Sequence, residues 1–286
     1  MSEKVILITG ASSGFGKSCA EYLSLKGYKV YGTSRKPASP GASWEMIQMD
    51  VNDDTSVARG VALVIAKEGR LDVVLNNAGY GIAGSVEDTS TEDMKAQFET
   101  NYFGMFRVCR EVLPVMRKQK SGYIINVGSI AGSIGVPFQG AYSACKSAVQ
   151  NLTEVLRMEV KPYGIKVSLI DPGDFKTGFT DSRVKTSQSV SNPEYAERFA
   201  KALQTMEHDE RKGCDPLELA RLVNKIISSK SPRLRYMVGP AMEIFAVHLR
   251  KFLPSGIFEG IIMSTYKIYP SPHLLFSFCT FHSAFC

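Results

Sequence analysis

Short runs of Val, Ile and Leu recur along the chain, separated by longer stretches in which apolar residues return every three or four positions. The short runs, rich in β-branched residues, predict strands at 5–8, 29–33, 46–49, 73–76, 123–127, 166–170 and 235–238. The longer stretches predict helices at 14–26, 56–67, 92–118, 141–161 and 216–229. Strand and helix alternate, the pattern of βαβ units wound onto a parallel sheet. The predicted fold is α/β, Rossmann-like and doubly wound, with a seven-stranded parallel sheet and helices on both faces. Ligands of such sheets bind beyond the carboxyl ends of the strands, where strand order reverses. The residues just after each strand are therefore the candidates for chemistry.

A single domain is expected over 1–267. Within it, 178–213 is dense in Ser, Thr, Asp, Lys and Glu and breaks the alternation. A loop that long in a compact domain predicts a substrate lid, with a short helix inside 193–208 carrying Phe199, Leu203 and Met206 on one side. The stretch from Phe245 to Tyr269 mixes Arg250, Lys251 and Lys267 with Phe, Ile, Leu and Met. Two placements stay open for it: peripheral contact with a membrane surface, or a cover over the pocket or a subunit interface, the second being favoured. Residues 268–286 form an apolar tail without Lys, Arg, Asp or Glu, yet Pro270, Pro272, His273 and His282 interrupt it. That argues against a spanning helix of about 20 residues.

Composition narrows the function classes. Of 286 residues, 44% are hydrophobic and 22% charged, which excludes disorder as the main state. The net charge of +6 is scattered among acids, so no nucleic-acid footprint is expected. The cysteines show no CxxC pair and no zinc spacing, so no metal site is expected and a reducing compartment fits. The apolar run within 1–8 is too short for a signal peptide, and a cytoplasmic location is expected.

After the first strand comes Thr9-Gly10-Ala11-Ser12-Ser13-Gly14-Phe15-Gly16, then a helix. Glycines permit a tight turn and close approach of a pyrophosphate to the N–H groups opening the helix. Strand before and helix after make this a candidate dinucleotide site. At the end of the second strand, where an acid would hold a ribose 2′-hydroxyl, stand Ser34, Arg35 and Lys36. Two cations and no carboxylate favour NADP(H), with NAD(H) as the alternative. Asp50 and Val51 close the third strand; Asp50 is placed either to accept from the adenine amino group or to cap the next helix.

Tyr142 and Lys146 stand four residues apart on a predicted helix and share a face. A cation about 4 Å from a phenol, at an effective dielectric of about 20, is worth ~4 kcal/mol and lowers the phenol toward neutrality. That would suit a general acid/base. Ser129 follows the fifth strand, where its hydroxyl can hold a substrate oxygen beside Tyr142. Asn77, Ala78 and Gly79 follow the fourth strand, and Pro172, Gly173 and Thr177 follow the sixth, as partners for the nicotinamide end. Asn101 lies mid-helix, where propensity disfavours it; it either satisfies a kink or holds a water that relays protons from Lys146. Phe138, Phe175, Phe179 and Tyr80 are candidate pocket walls or plain core.

Together, the glycine turn, Asp50, Asn76-Asn77-Ala78-Gly79, Asn101, Ser129, Tyr142, Lys146, Pro172-Gly173 and Thr177 resemble the short-chain dehydrogenase/reductase family in its short form. Val30 to Arg35 and Pro232 to Tyr236 look like its 17β-hydroxysteroid and retinol dehydrogenase branch. The resemblance implies catalytic roles for Asn101, Ser129, Tyr142 and Lys146. Tyr142 would be the proton donor or acceptor, Lys146 the ribose ligand that lowers the tyrosine pKa, Ser129 the carbonyl orienter and Asn101 the anchor of the relay. It implies cofactor contacts at Gly10, Ser12, Ser13, Gly14, Phe15, Gly16, Ser34, Arg35, Asp50, Val51, Asn77, Ala78, Gly79, Pro172, Gly173 and Thr177. The implied substrate is a hydrophobic alcohol or its ketone or aldehyde, steroid- or retinoid-like, held by Ser129, Phe138 and Tyr142. The alternatives are an acyl or other aliphatic ketone, or a nucleotide-binding scaffold without turnover. Helices like 92–118 and 141–161 form dimer faces in the family, so a homodimer or homotetramer is implied.

Overall fold

Val5–Ile8 is apolar at every position and forms β1, a strand buried along its whole length. The computed structural model describes residues 3–36 and 43–268. The remaining strands are β2 (Lys29–Ser34), β3 (Glu45–Gln48), β4 (Val73–Asn76), β5 (Ile82–Ala83), β6 (Gly122–Val127), β7 (Ile165–Pro172), β8 (Val184–Lys185) and β9 (Arg235–Val238). Seven of them make one parallel sheet in the order β3-β2-β1-β4-β6-β7-β9. Strand order reverses between β1 and β4. This is the expected doubly wound, Rossmann-like sheet.

Each face of the sheet is covered by helices whose apolar stripe fits it. On one side lie α1 (Gly14–Leu25) and α9 (Pro216–Ser228), burying Cys19, Leu23, Leu219 and Val223 against Ile6 and Ile8. On the other lie α2 (Asp54–Glu68), α4 (Gly104–Gln119) and α5 (Gly140–Val160), burying Val61, Val108 and Val149 against Leu7 and Val74. Asp53 opens α2 by accepting the Ser56 N–H, and Gly69 closes it in a left-handed conformation.

The single helix expected at 92–118 is two helices. α3 (Thr91–Phe98) starts in a Ser90/Asp93 capping box, and a π-helical turn, Glu99–Phe103, joins it to α4. The wider turn carries Asn101 into the interior, where it is 4% exposed. The 178–213 segment is also more regular than expected. It holds α6 (Phe179–Ser182), β8, α7 (Ser187–Ser191) and α8 (Ala196–Lys212). β8 pairs with β5, which ties the segment to the loop after β4. Phe199, Leu203 and Met206 share the buried side of α8, as the spacing predicted.

The chain continues into α10 (Ala241–Leu249) and α11 (Ser255–Thr265). Val247 and Phe258 pack with Ile130 and Ile134 over the loop that follows β6, whereas Met242, Phe245 and Phe252 stay exposed. The segment therefore covers the site region with one side only. Among the described residues no helix is long and apolar enough to cross a membrane. The tail reading concerns residues nearly all of which lie outside the described ones.

α10 is pinned to the end of β7 by two carboxyls. Glu243 accepts the Asp174 N–H at 2.9 Å, and a Cβ on Gly173 would fall on the Glu243 carboxylate. Burial, then the charge of Glu243 and that of Glu210, pushes the Asp174 carboxyl up to about 8, and burial also raises Glu243. A carboxyl whose folded pKa lies above its unfolded one contributes stability at low pH, and that contribution is lost as pH climbs from about 4 to about 8. Asp174→Asn, which keeps a donor facing Glu243, should flatten this slope. Urea unfolding at pH 5 and pH 8 should show the wild type losing on the order of 2 kcal/mol more than the variant; equal losses would contradict the raised Asp174 carboxyl.

Candidate active site

Thr9, the first residue beyond β1, laces the two loops that flank the reversal of strand order. Its hydroxyl accepts the N–H groups of Asn77 (2.9 Å) and Ala78 (3.0 Å), and Asn77 Nδ2 donates back to the carbonyls of Thr9 and Gly10. Gly10 has φ +67°, and a Cβ there would come within 2.9 Å of Ala78 Cα. A Cβ on Gly16 would fall on the Gly10 carbonyl, so only glycine lets the first turn of α1 rest on the loop. Ser13 caps α1 in extended conformation with no side-chain bond, Ser12 and Ser13 are exposed, and no acid stands in the first turn. The N–H groups opening α1 are thus presented to an anion. Gly14 lies beside Thr177, which brings the segment after β7 to the same spot.

Two residues assigned to the cofactor face elsewhere. Phe15 packs edge-on against Phe175 at 4.9 Å, and both belong to the core beneath the turn. Of the two readings open for Phe175, pocket wall or core, the structure has it as core. Val51 is buried against Gly104 and its carbonyl accepts from Arg107, so its side chain supports α4. At the end of β2, Arg35 and Lys36 are exposed and Ser34 Oγ accepts the Lys36 N–H. Asp50 does not cap α2, because Asp53 does; Asp50 accepts the Asn52 N–H at 3.0 Å.

α5 buries Ala141, Tyr142, Cys145, Lys146, Val149, Thr153, Leu156 and Val160, one stripe at helical spacing. Tyr142 and Lys146 are thus held at the sheet edge by the packing that seats the helix. Tyr142 is 9% exposed and Lys146 7%. Lys146 Nζ lies 5.7 Å from the Tyr142 ring centre and donates to the Val127 carbonyl at 2.8 Å. Burial drives the Tyr142 hydroxyl above the ordinary phenol range; a hydrogen bond from Ser129 and the charge of Arg183 pull it down without prevailing. Burial also lowers the Lys146 ammonium. In this arrangement burial is the largest influence on the Tyr142 hydroxyl.

Ser129 sits beside Tyr142 at the end of β6, its N–H held by Asp171 Oδ1 at 2.9 Å and its carbonyl by Gln150 Nε2 at 2.9 Å. Asn101 has both ends of its amide on the backbone of Tyr80, accepting its N–H at 3.1 Å and donating to its carbonyl at 2.8 Å. The side chain therefore braces the loop after β4. Gly79 packs on Asn101 beyond β4, and Pro172, Gly173 and Thr177 stand at and beyond the end of β7, with Thr177 beside Gly14. Phe179 reaches Tyr142 at 5.6 Å between ring centres. Phe138 packs with Phe199 at 5.5 Å and Tyr195 at 6.5 Å, joining a cluster with Ala83 and Leu203. Sequence reasoning missed Asp171, Gln150, Arg183 and Glu210 as parts of the site. A charged residue closing the apolar run of β7 was the one readable signal for Asp171.

The glycine cradle, the open start of α1 and the acid-free end of β2 fit a dinucleotide. Residues 4–188 match the model of the short chain dehydrogenase family. The 3-ketodihydrosphingosine reductase of Bacteroides thetaiotaomicron is 44% identical over 94% of this chain and 100% of its own. Human 17-beta-hydroxysteroid dehydrogenase type 1 is 31% identical, over 90% of this chain and 83% of its own length. A short-chain dehydrogenase/reductase from Burkholderia phymatum, solved in complex with NAD, superposes with a TM-score of 0.76 at 26% identity, covering 95% of this chain and 98% of that one. The chain belongs to the short-chain dehydrogenase/reductase family, and it is an oxidoreductase acting on a CH–OH group or the corresponding ketone with a nicotinamide dinucleotide.

Proposed function

We propose that this chain is an NADPH-dependent reductase of a long-chain aliphatic ketone. The observation that carries the reading is the placement of the Tyr142 hydroxyl beside Ser129 and on one face of α5 with Lys146, where a phenol can exchange a proton with a carbonyl oxygen; the reductive direction is supported by the relative named as a reductase. The substrate class is supported by the aromatic and aliphatic wall of Phe138, Tyr195, Phe199 and Leu203 on one side and Phe179 on the other. It is supported too by the relative named for 3-ketodihydrosphingosine, a long-chain amino ketone, which is 44% identical where the steroid enzyme is 31% identical. A steroid ketone is the second reading, favoured by that latter relative. The 178–213 segment acts as the lid, contributing Phe179 from α6 and Phe199 from α8.

The dinucleotide would be held by Gly10, Ser12, Ser13 and Gly14, by Asn77 to Gly79, by Asp50 and by the end of β7, and it supplies the hydride. Arg35 and Lys36, with no carboxylate beside them, favour a 2′-phosphate. The chain's own residues do the rest. Ser129 holds the carbonyl oxygen, fixed in place through its N–H and its carbonyl. Tyr142 passes its proton to that oxygen, and the ammonium of Lys146, on the same face of α5, offsets the phenolate charge until solvent returns a proton. The ketone thereby gains a hydride at carbon and a proton at oxygen and leaves as the alcohol. Prior positioning of both partners replaces a two-body encounter.

Tyr142→Phe should cut NADPH oxidation with a long-chain 3-ketone by about 10²–10⁴-fold while leaving the unfolding temperature nearly unchanged; full turnover in the variant refutes the assignment. Lys146→Met should lower turnover by about 10²-fold. Measured across a ketone panel, long-chain aliphatic ketones should exceed steroid ketones in kcat/KM. Arg35→Ala should raise KM for NADPH about tenfold and leave KM for NADH within about twofold. An equal change for both coenzymes removes Arg35 from 2′-phosphate recognition.

A further inference from the structure

The last two helices use only one of their sides. Val247 and Phe258 are buried against Ile130 and Ile134, in the loop that Ser129 opens. Arg250 donates to the Ser133 carbonyl and lies over the Phe258 ring, which pins the end of α10 to that loop. The opposite side of α10 is apolar and bare: Met242 is 70% exposed, Phe245 55% and Phe252 82%. The Arg250 N–H donates to the Ala246 carbonyl and the Leu253 N–H to the Leu249 carbonyl, so the helical turn runs on past Leu249. Positions 242, 245 and 252 then fall on one face, away from Val247. An exposed apolar stripe of this kind marks a contact surface.

The exposed charges around the stripe are mostly of one sign. Lys251 precedes Phe252 and Lys267 follows α11, both exposed, and Glu259 is the one exposed acid between Ala241 and Ile268. The charges of Asp174 and Glu243 act on the Tyr266 hydroxyl, so α11 returns toward the start of α10 and the two lysines lie toward its opposite ends. That charge selects the occupant. A second copy would bring the same lysines with the same face, since a two-fold contact sets like surface on like. Residues 269–286 include Leu274, Leu275, Phe276 and Phe278 but no Asp or Glu, so they match the apolar stripe and leave the lysines unmet. An anionic lipid surface meets both: acyl chains take the Met and Phe side chains, and the headgroups take the ammonium groups.

We propose that the outward face of α10, with the end of α11, is a docking surface for an anionic phospholipid bilayer. Met242, Phe245 and Phe252 enter the boundary between headgroups and acyl chains, and Lys251 and Lys267 sit at the level of the headgroups. The two-helix cap then has the site region on its inner side and lipid on its outer side. Three apolar side chains and two cations make the contact peripheral, reversible and weakened by salt. It does not depend on which ketone is reduced.

The test is flotation of the full chain on a density gradient with vesicles of phosphatidylcholine containing about 30% phosphatidylserine, or of phosphatidylcholine alone. The wild type should float with the first, partition about tenfold less onto the second, and be released by ~0.5 M salt. The triple variant Met242→Ser, Phe245→Ser, Phe252→Ser should lose about tenfold or more in partition coefficient. Lys251→Glu with Lys267→Glu should lose a similar factor, and decides the matter by itself if the serine variant fails to fold. All these side chains are exposed, so unfolding temperatures should be retained. Equal flotation of wild type and a folded variant, flotation indifferent to phosphatidylserine, or a wild type that never floats overturns the proposal. So does a drop in particle mass by light scattering in the serine variant without lipid, which assigns the face to a second copy.

Discussion

Asp171 has no solvent exposure, and its carboxylate ties α5 to the ends of two strands, β6 and β9, that already flank β7 in the sheet. Oδ1 takes the Ser129 N–H at the end of β6 and Gln150 Nε2 on α5; Oδ2 takes Arg235 Nε on β9 at 2.5 Å. A buried carboxylate is tolerable only when its charge is met on every side. Burial still raises this carboxyl, and Arg235, Gln150 and the Ser129 N–H pull it back. Meeting that requirement sets the serine, the catalytic helix and the last strand at one fixed spacing. Gln150 extends the same clamp by donating to the Ser129 carbonyl, two turns along the helix from Tyr142.

The electrostatics of the site follow from how deeply that clamp draws α5 in. Desolvation penalises the charged form of each group, so the tyrosine is held as a phenol and the lysine is pressed toward neutrality. Lys146 keeps its place on the same face of α5 as the ring because its Nζ is bonded to the Val127 carbonyl.

Features repeated over several residues were legible in the sequence. The seven strands of the main sheet lie within a residue or two of where the apolar runs put them, and the glycine turn has the backbone its spacing demands. The Tyr142–Lys146 pair was readable because helical period alone places both on one face. Features set by a single tertiary contact were not. The π-helical turn exists because Asn101 reaches the Tyr80 backbone, and no periodicity encodes that reach. β5 and β8 are two residues each, shorter than any pattern can mark. Sequence left Phe175 open between pocket wall and core, and its edge-on contact with Phe15 is the tertiary detail that decides it.

The same division separates chemistry from choice of substrate. Proton transfer is built on strand ends and one long helix, rigid parts whose positions follow from the hydrophobic pattern. The segment we propose as the lid is built differently: α6 and α8 sit in a polar stretch and meet the rest of the fold through Phe179, Phe199 and the buried Arg183–Glu210 pair. An ion pair that costs desolvation on both sides is a poor way to gain stability, since apolar residues of similar volume often serve as well or better. The position of this segment is therefore set by a few single tertiary contacts, the kind of feature that a hydrophobic pattern does not mark.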